Sequence, residues 1–229
     1  GSRTTSFLVD HDVLVDAGTG VGDLPLEALA RIDHILVSHS HLDHVLAIGL
    51  LADAVMRLRA AQGRGPIQVH ALPETIQALR THIFNGVIWP DFTRLPNHLV
   101  PSVRFHEFES EVPVVIEGVK FTPIPVDHLV PTHGFLIEQD GAAILWSSDT
   151  GPTQRFWEIA NRTHNLKAVC IDTSFDNSLQ QVADVSLHLT KVTDPRAYGL
   201  VPTDDTGRVL AFLEKPQTPE ELIAKVAEG

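Results

Sequence analysis

Four side chains that can bind metal ions lie within six consecutive residues, His39-Ser40-His41-Leu42-Asp43-His44. Side chains alternate along an extended segment, so His39 and His41 point to the same side and can bind one ion. Asp43 and His44 follow where the chain bends into a helix, and they can face a second ion. Imidazole and carboxylate ligands without thiolates suit zinc, iron or manganese and argue against a closed structural zinc site. The run therefore predicts a metal centre with two ions.

Further candidate ligands occur later in the chain. His128, in Pro125-Val126-Asp127-His128, is predicted to be the third imidazole of the first ion, and His133, five residues later, is the competing candidate. Asp149 stands where an apolar stretch ends in a turn of small residues. A carboxylate at such a turn can bridge two ions.

A centre of this kind can hydrolyse phosphate esters. Two ions about 3.5–4 Å apart lower the pKa of a shared water and give a metal-activated hydroxide near neutral pH. They also hold phosphoryl oxygens and stabilise the charge that develops in the transition state. His188, in Ser186-Leu187-His188-Leu189-Thr190, is the candidate general acid for the leaving alkoxide. Asp43 is predicted to be catalytic as well as a metal ligand.

The apolar pattern predicts the elements that position these residues. Strands are predicted at Val13 to Val15 and at Ile32 to Val37, and the second runs directly into the histidine run. Asp43 is predicted to cap a helix whose apolar residues recur at helical spacing. A hairpin is predicted around Gln139-Asp140-Gly141, because Asp-Gly favours a tight turn. Mixed strands and helices predict an α/β fold in which helices cover sheet layers.

Composition limits the functional classes. A chain of 229 residues, 43% of them apolar, can form one large core. Its formal charge of −12 disfavours binding of a long nucleic acid, although bound cations can reverse the sign locally for a small phosphate ester. No apolar stretch is long enough to span a membrane. The single cysteine, Cys170, excludes an intrachain disulfide, and without a visible signal segment we expect a cytoplasmic protein.

Several motifs together resemble a known family. The stretch from His39 to Leu51 is similar to the metallo-β-lactamase superfamily and, within it, to the class II cyclic-nucleotide phosphodiesterases. The more specific similarity is Thr75 to Trp89 (TIQALRTHIFNGVIW). Three later stretches also resemble that family, so the resemblance covers roughly Thr4 to Thr190: Gly134 to Ile137, Trp146 to Trp157 and Ala183 to Thr190.

This resemblance implies an αββα sandwich with two metal ions at one edge. It also implies hydrolysis of the 3′ phosphodiester bond of 3′,5′-cyclic AMP or GMP. By matching motifs, one ion would be held by His39, His41 and His128. The other would be held by Asp43 and His44, and Asp149 would lie between the two ions. His188 would match the histidine of a Gly-His-Leu-Thr motif, with Leu187 in place of the glycine.

Two features depart from the family. A glycine-rich strand and loop that should precede Thr4 to Val9 is missing, and no histidine follows His188, where the family has a further ligand for the second ion. The second ion would therefore lack one protein ligand. The expected fold is a metallo-β-lactamase-type αββα sandwich without its first strand and its usual C-terminal part.

The tail has a different resemblance. Val192 to Pro216 is similar to a segment of a mannose-1-phosphate guanylyltransferase, including Asp194-Pro195-Arg196 and Glu214-Lys215-Pro216. No transferase activity is inferred, because the glycine-rich nucleotide-binding start of those enzymes is absent. We expect a phosphodiesterase domain over residues 1–190 and an atypical tail over residues 191–229. A chimera joined near Ser186 to Thr190 is the simplest explanation.

The expected cofactors are two divalent ions, zinc first, with manganese, magnesium and iron as alternatives. The expected partner is a small cyclic nucleotide, and neither a long nucleic acid nor a membrane is expected. Two other hypotheses remain open. One is a different hydrolase of the same fold, either an RNA-processing nuclease or a thioester hydrolase. The other is a catalytically impaired, metal-binding chimera.

Overall fold

The computed structural model describes residues 3–172, which contain two five-stranded sheets. The strands of the first sheet lie side by side in chain order: β1 (Phe7–Val9), β2 (Val13–Val15), β3 (His34–Leu36), β4 (Ile67–Ala71) and β5 (Val103–Glu107). The second sheet also follows chain order: β6 (Val114–Ile116), β7 (Val119–Val126), β8 (Thr132–Gln139), β9 (Ala142–Trp146) and β10 (Leu166–Cys170). Strands β2 to β5 are parallel, as are β9 and β10, and the other neighbours are antiparallel.

The helices of this region are short except for one. They are a 3₁₀ helix (Thr19–Asp23), α1 (Leu26–Leu29), α2 (Leu42–Ala61), α3 (Pro73–Ala78), which continues as a π-helical turn (Leu79–Ile83), and α4 (Gln154–Arg162). Over residues 3–172, none of them is long and apolar enough to cross a membrane.

Strand β2 shows how the sequence produces the layers. Leu14 packs in a core cluster with the apolar face of α2, whereas Val13 and Val15 pack with residues of the second sheet. Alternate side chains of a strand point to opposite faces, so one strand serves two cores. A third cluster places Phe156 of α4 on the outer face of the second sheet. The order helix, sheet, sheet, helix confirms the predicted αββα sandwich.

The predicted hairpin is confirmed. Strands β8 and β9 pair with Gln139 opposite Ala142, and the two residues between them, Asp140 and Gly141, have φ of 50° and 75°. Two positive φ angles are what a type I′ turn requires, and Asp-Gly is a preferred sequence for it.

Two local predictions need correction. Helix α2 begins at Leu42 with His41 as its N-cap, so Asp43 lies inside the first turn, where its carboxylate faces the ring of His44 at 3.6 Å. The strand predicted from Ile32 to Val37 is shorter, because the backbone around its start bonds elsewhere. The carbonyl of Ile32 accepts a hydrogen bond from the buried Arg59 guanidinium at 2.8 Å. The domain boundary near residue 190, the tail and His188 lie outside the described residues.

Gly18 permits a close approach between the start of the chain and helix α2. A Cβ atom at this position would lie 2.4 Å from the carbonyl oxygen of Asp43 and 2.5 Å from that of Thr5. Both neighbours are backbone atoms, so no side-chain rotation can relieve the contact. The next residue, Thr19, is tied to Thr4 by a backbone-to-hydroxyl hydrogen bond in each direction, both 2.8 Å.

Replacing Gly18 by alanine should therefore destabilise the fold. We expect Gly18→Ala to lower the free energy of unfolding by about 2–3 kcal/mol, the upper part of the range for overpacking, as measured by urea denaturation. Gly22→Ala is the matched control, since a Cβ there meets no atom within 4 Å and Gly22 belongs to the same short segment. Equal stability of the two variants would contradict this reading of the contact.

Candidate metal centre

The predicted metal-binding residues meet at one edge of the sandwich. His39 and His41 lie between the end of β3 and the start of α2, and Asp43 and His44 lie in the first turn of that helix. His128 follows β7 and Asp149 follows β9, so the second sheet supplies the other two residues. The two sheets therefore place these six side chains together from three separate segments.

Three imidazoles and one carboxylate form the first group. His41 Nδ1 is 3.1 Å from His39 Nε2 and 3.1 Å from His128 Nε2. Asp149 Oδ2 is 3.9 Å from both of those Nε2 atoms. Around a tetrahedral ion with metal–nitrogen bonds of about 2.0–2.1 Å, neighbouring ligand nitrogens are separated by little more than 3 Å. The geometry of this donor set therefore fits a zinc-like ion.

Asp149 also belongs to the second group. Its Oδ1 is 3.2 Å from His44 Nε2, and Asp43 Oδ2 is 3.6 Å from the same nitrogen. The ligand atoms of Asp43, His44 and Asp149 all lie within 4.8 Å of one another. Because its two oxygens face different groups, Asp149 has the position of a bridging carboxylate. Among the described residues, the second group offers one nitrogen and two carboxylates, one donor fewer than the first.

A buried aspartate orients the histidines from behind. Asp16 is fully buried at the end of β2 and accepts hydrogen bonds from Ser38 N (2.8 Å), Ser38 Oγ (2.7 Å) and His44 Nδ1 (2.6 Å). Burial raises the pKa of the Asp16 carboxyl, while its contacts with His44 and Ser38 act in the opposite direction. In its ionised form the carboxylate only accepts, and His44 Nδ1 then carries a proton. The other ring nitrogen, Nε2, is thereby the one that faces the centre.

The same network fixes the tautomer of His39. The single hydroxyl proton of Ser38 is donated to Asp16, so its oxygen accepts from its other two neighbours, Ser148 Oγ at 2.8 Å and His39 Nδ1 at 2.9 Å. His39 therefore carries its proton on Nδ1 and directs an unprotonated Nε2 towards the centre. Metal-binding histidines are commonly held in this way by a second hydrogen bond.

Charge separates the two buried histidines. Burial lowers the pKa of His39 to about 3, and the neighbouring positive charge of His44 acts in the same direction. Burial opposes protonation of His44 as well, but Asp149 and Asp16 outweigh it and raise its pKa to about 10. The hydrogen bond from His44 in turn lowers the pKa of Asp149. Without metal, His44 is thus the cation that compensates two carboxylates.

One other predicted ligand does not join the centre. His133, the competitor of His128, is buried and its Nε2 lies 2.9 Å from Ser110 Oγ, while its ring contacts Phe108. His133 lies within the paired part of β7 and β8, opposite Pro125. His128, in contrast, lies beyond the end of β7, where the strand reaches the edge of the sandwich. His188 lies outside the described residues and stays a prediction.

Asp16 was not singled out as a site residue from the sequence. The available signal was a carboxylate directly after a strand that is buried throughout, Val13 to Val15. A turn explains an aspartate there equally well, and only the contact with His44, 28 residues away, distinguishes the two.

These protonation states can be observed directly in metal-free protein. At pH 8 we expect His44 to carry protons on both ring nitrogens, because its pKa of about 10 lies above that pH. At pH 5 we expect His39 to remain neutral with its proton on Nδ1, since its pKa of about 3 lies below that pH. Long-range ¹H–¹⁵N spectra of the rings distinguish these states. A neutral His44 at pH 8 would disprove the proposed charge arrangement.

Comparison with known proteins agrees with the fold. The model of the β-lactamase superfamily domain family matches residues 11–206. Ribonuclease Z of Mycobacterium marinum is 27% identical over 196 residues, which cover 80% of this chain and 70% of that protein. Unliganded yeast PDE1 is similar in structure, with a TM-score of 0.55, 18% identity and coverage of 64% of this chain and 45% of that one. At this identity the likeness concerns the fold alone, and the chain spans less than half of the yeast protein.

The resemblance to a guanylyltransferase corresponds to a short match. Mannose-1-phosphate guanylyltransferase of Mycobacterium tuberculosis is 62% identical over 37 residues, 16% of this chain and 10% of that enzyme. The superfamily match, in contrast, includes most of the chain and all six residues of the candidate centre. The fold is therefore the metallo-β-lactamase fold, and the chain belongs to the β-lactamase superfamily domain family.

Proposed function

We propose that the chain is a metal-dependent hydrolase of phosphodiester bonds and that its substrate is a 3′,5′-cyclic nucleotide. The observation that carries the proposal is the position of Asp149, whose two carboxylate oxygens face two different groups of ligand atoms. In this proposal the first ion would be held by His39, His41 and His128, and the second by Asp43 and His44. Asp149 would be shared by both.

The side chains supply a preorganised set of donors. Divalent ions bound there would provide a water of lowered pKa and positive charge for the phosphoryl oxygens. His39 and His44 are buried and held at Nδ1, so their Nε2 atoms cannot turn away from the centre. Asp149, a third exposed, borders the solvent side. Asp43, whose side chain is 52% exposed, borders solvent as well, and a substrate can approach from this side.

Exposed apolar side chains directly follow two of the proposed ligands in the sequence. Leu42 directly follows His41 and is 56% exposed, and Leu129 directly follows His128 and is 91% exposed. Apolar surface beside polar ligands favours a substrate with a flat apolar part next to its phosphate, as a nucleotide has. These two leucines are our candidates for contact with the base.

The segment Thr75 to Trp89, which resembles the cyclic-nucleotide phosphodiesterases, packs against helix α2. Asn85 Oδ1 accepts hydrogen bonds from the backbone of Val87 and Ile88, both 2.9 Å. The Trp89 ring lies so close to Gly49 of α2 that a Cβ there would be 2.9 Å from it. This segment supports the cyclic-nucleotide proposal by resemblance, and its contacts give it a role in fixing α2.

A second candidate is an RNA-processing endonuclease. It is favoured by ribonuclease Z of Mycobacterium marinum, the relative with 27% identity over most of the chain. Both substrates contain a phosphodiester, so the same centre serves either. The formal charge of −12 disfavours the longer polyanion, and for that reason the cyclic nucleotide is our first choice.

For either substrate the leaving alkoxide needs a proton. His188 remains our candidate for the donor, on the basis of its sequence motif and the ability of imidazole to act as general acid near neutral pH.

Hydrolysis of cyclic AMP by the zinc- or manganese-loaded protein tests this function. We expect turnover to 5′-AMP in the wild type, measured by chromatography. His41→Ala and Asp149→Ala should reduce it by more than the roughly 100-fold that loss of an outer-shell partner costs, because each removes a proposed ligand. His11→Ala, an exposed turn histidine, is the control and should retain full activity.

A precursor tRNA with a 3′ extension and bis(p-nitrophenyl) phosphate should be assayed in parallel. Cleavage of the tRNA without turnover of cyclic AMP would favour the second candidate. If none of the three phosphodiesters is cleaved by metal-loaded protein, the proposal of a phosphodiesterase fails.

A further inference from the structure

A polar cavity lies beside β5, the strand at the edge of the first sheet. Its volume is about 500 Å³, within the range of small-ligand sites. Among the described residues that line it are three arginines and one histidine against a single carboxylate: Arg80, Arg94, Arg104, His98 and Asp91. In a chain with a formal charge of −12, this concentration of positive charge is unusual.

None of the three guanidinium groups has an anionic partner among the described residues. Within residues 3–172, the side chains of Arg94 and Arg104 form neither a hydrogen bond nor an ion pair. Most other arginines with a described side-chain contact do find a carboxylate. Arg3 pairs with Asp23, and Arg155 pairs with Glu111. The cavity therefore collects positive charge that the described part of the chain leaves uncompensated.

The surroundings hold part of this charge in place. The Arg80 guanidinium lies over the Phe105 ring, 4.9 Å from its centroid, and Phe105 makes an edge contact with Phe84. Asp91, the one carboxylate, accepts hydrogen bonds from the backbone and hydroxyl of Thr93 through Oδ1. It is engaged in its own turn and forms no ion pair with the arginines.

This cavity is separate from the candidate metal centre. Arg104 of β5 pairs with Gln68 of β4, and Gln68 pairs with His34, the first residue of β3. Arg104 is therefore level with the start of β3. His39 lies beyond the other end of β3 and two strands away. With a rise of about 3.3 Å per residue and about 4.8 Å between strands, the two sites are on the order of 20 Å apart.

We propose that this cavity binds the pyrophosphate group of a small ligand, independently of the metal centre. Guanidinium groups bind phosphate oxygens with paired hydrogen bonds, and three of them match the several charges of a di- or triphosphate. The inference goes beyond the proposed function, because it needs neither the metals nor the hydrolysis. A bound pyrophosphate would be a second, non-substrate ligand of the protein.

A small ligand suits the site better than a long nucleic acid. The three arginines, all exposed, line a single cavity of about 500 Å³. The remaining acidic surface would repel a polyanion that extends beyond the cavity. RNA binding is therefore the competing outcome of the test.

Isothermal titration of the folded, metal-loaded protein with inorganic pyrophosphate, ADP and a short single-stranded RNA tests the proposal. We expect pyrophosphate to bind, and ADP to bind as well if the natural ligand is a nucleotide. Arg94→Gln and Arg104→Gln should each weaken the affinity at least tenfold, since each removes a charged hydrogen-bond donor. Arg57→Gln, an exposed arginine on α2, should change it less than twofold.

Binding to the metal centre would give a different pattern. His41→Ala alters that centre and leaves the arginine cavity intact, so pyrophosphate should still bind to this variant. Unchanged affinity in the Arg94→Gln/Arg104→Gln double variant, or loss of binding in His41→Ala, would overturn the proposal. Binding of the RNA through these arginines without binding of pyrophosphate would also overturn it.

Discussion

The hydrogen bonds to the buried carboxylate of Asp16 are the interaction on which the candidate centre depends. Through His44 Nδ1 and Ser38 Oγ, this one group determines which nitrogen of two histidines faces the ligand cluster. A buried carboxylate is costly unless its partners satisfy it, and here three donors do so. The same bonds join the end of β2 to the end of β3 and to α2. The fold and the chemistry thus share one set of contacts.

The rest of the centre follows from how the two sheets meet. The first sheet and α2 supply four of the six clustered side chains, and the second sheet supplies His128 and Asp149. Ser148 links the two parts, since its hydroxyl lies 2.8 Å from Ser38 Oγ. Asp149 can bridge two groups only while both sheets keep this relation. The packing of Phe121 and Phe135 between the sheets therefore helps to hold the site together.

Sequence reasoning predicted what local spacing determines. The pairing of His39 with His41, the turn at Asp140-Gly141 and the layers follow from alternation and turn chemistry. The choice between His128 and His133 required the register of β7 and β8, in which His133 faces Pro125. The role of Asp16 was missed because its partner His44 lies 28 residues away. The cavity lined by Arg80, Arg94 and Arg104 was missed because the fold, and no local pattern, brings these arginines together.

The ribonuclease Z relatives and the cyclic-nucleotide motifs point to different substrates, but both need the same bridged centre. The most direct test of that centre is the metal content of protein loaded with zinc and dialysed, measured by mass spectrometry. Our account predicts two ions per chain in the wild type and in Asp53→Ala, an exposed aspartate of α2. It predicts fewer than two in Asp149→Ala, because both sites lose a ligand. Equal content in Asp149→Ala and the wild type, or no retained zinc in either, would contradict it.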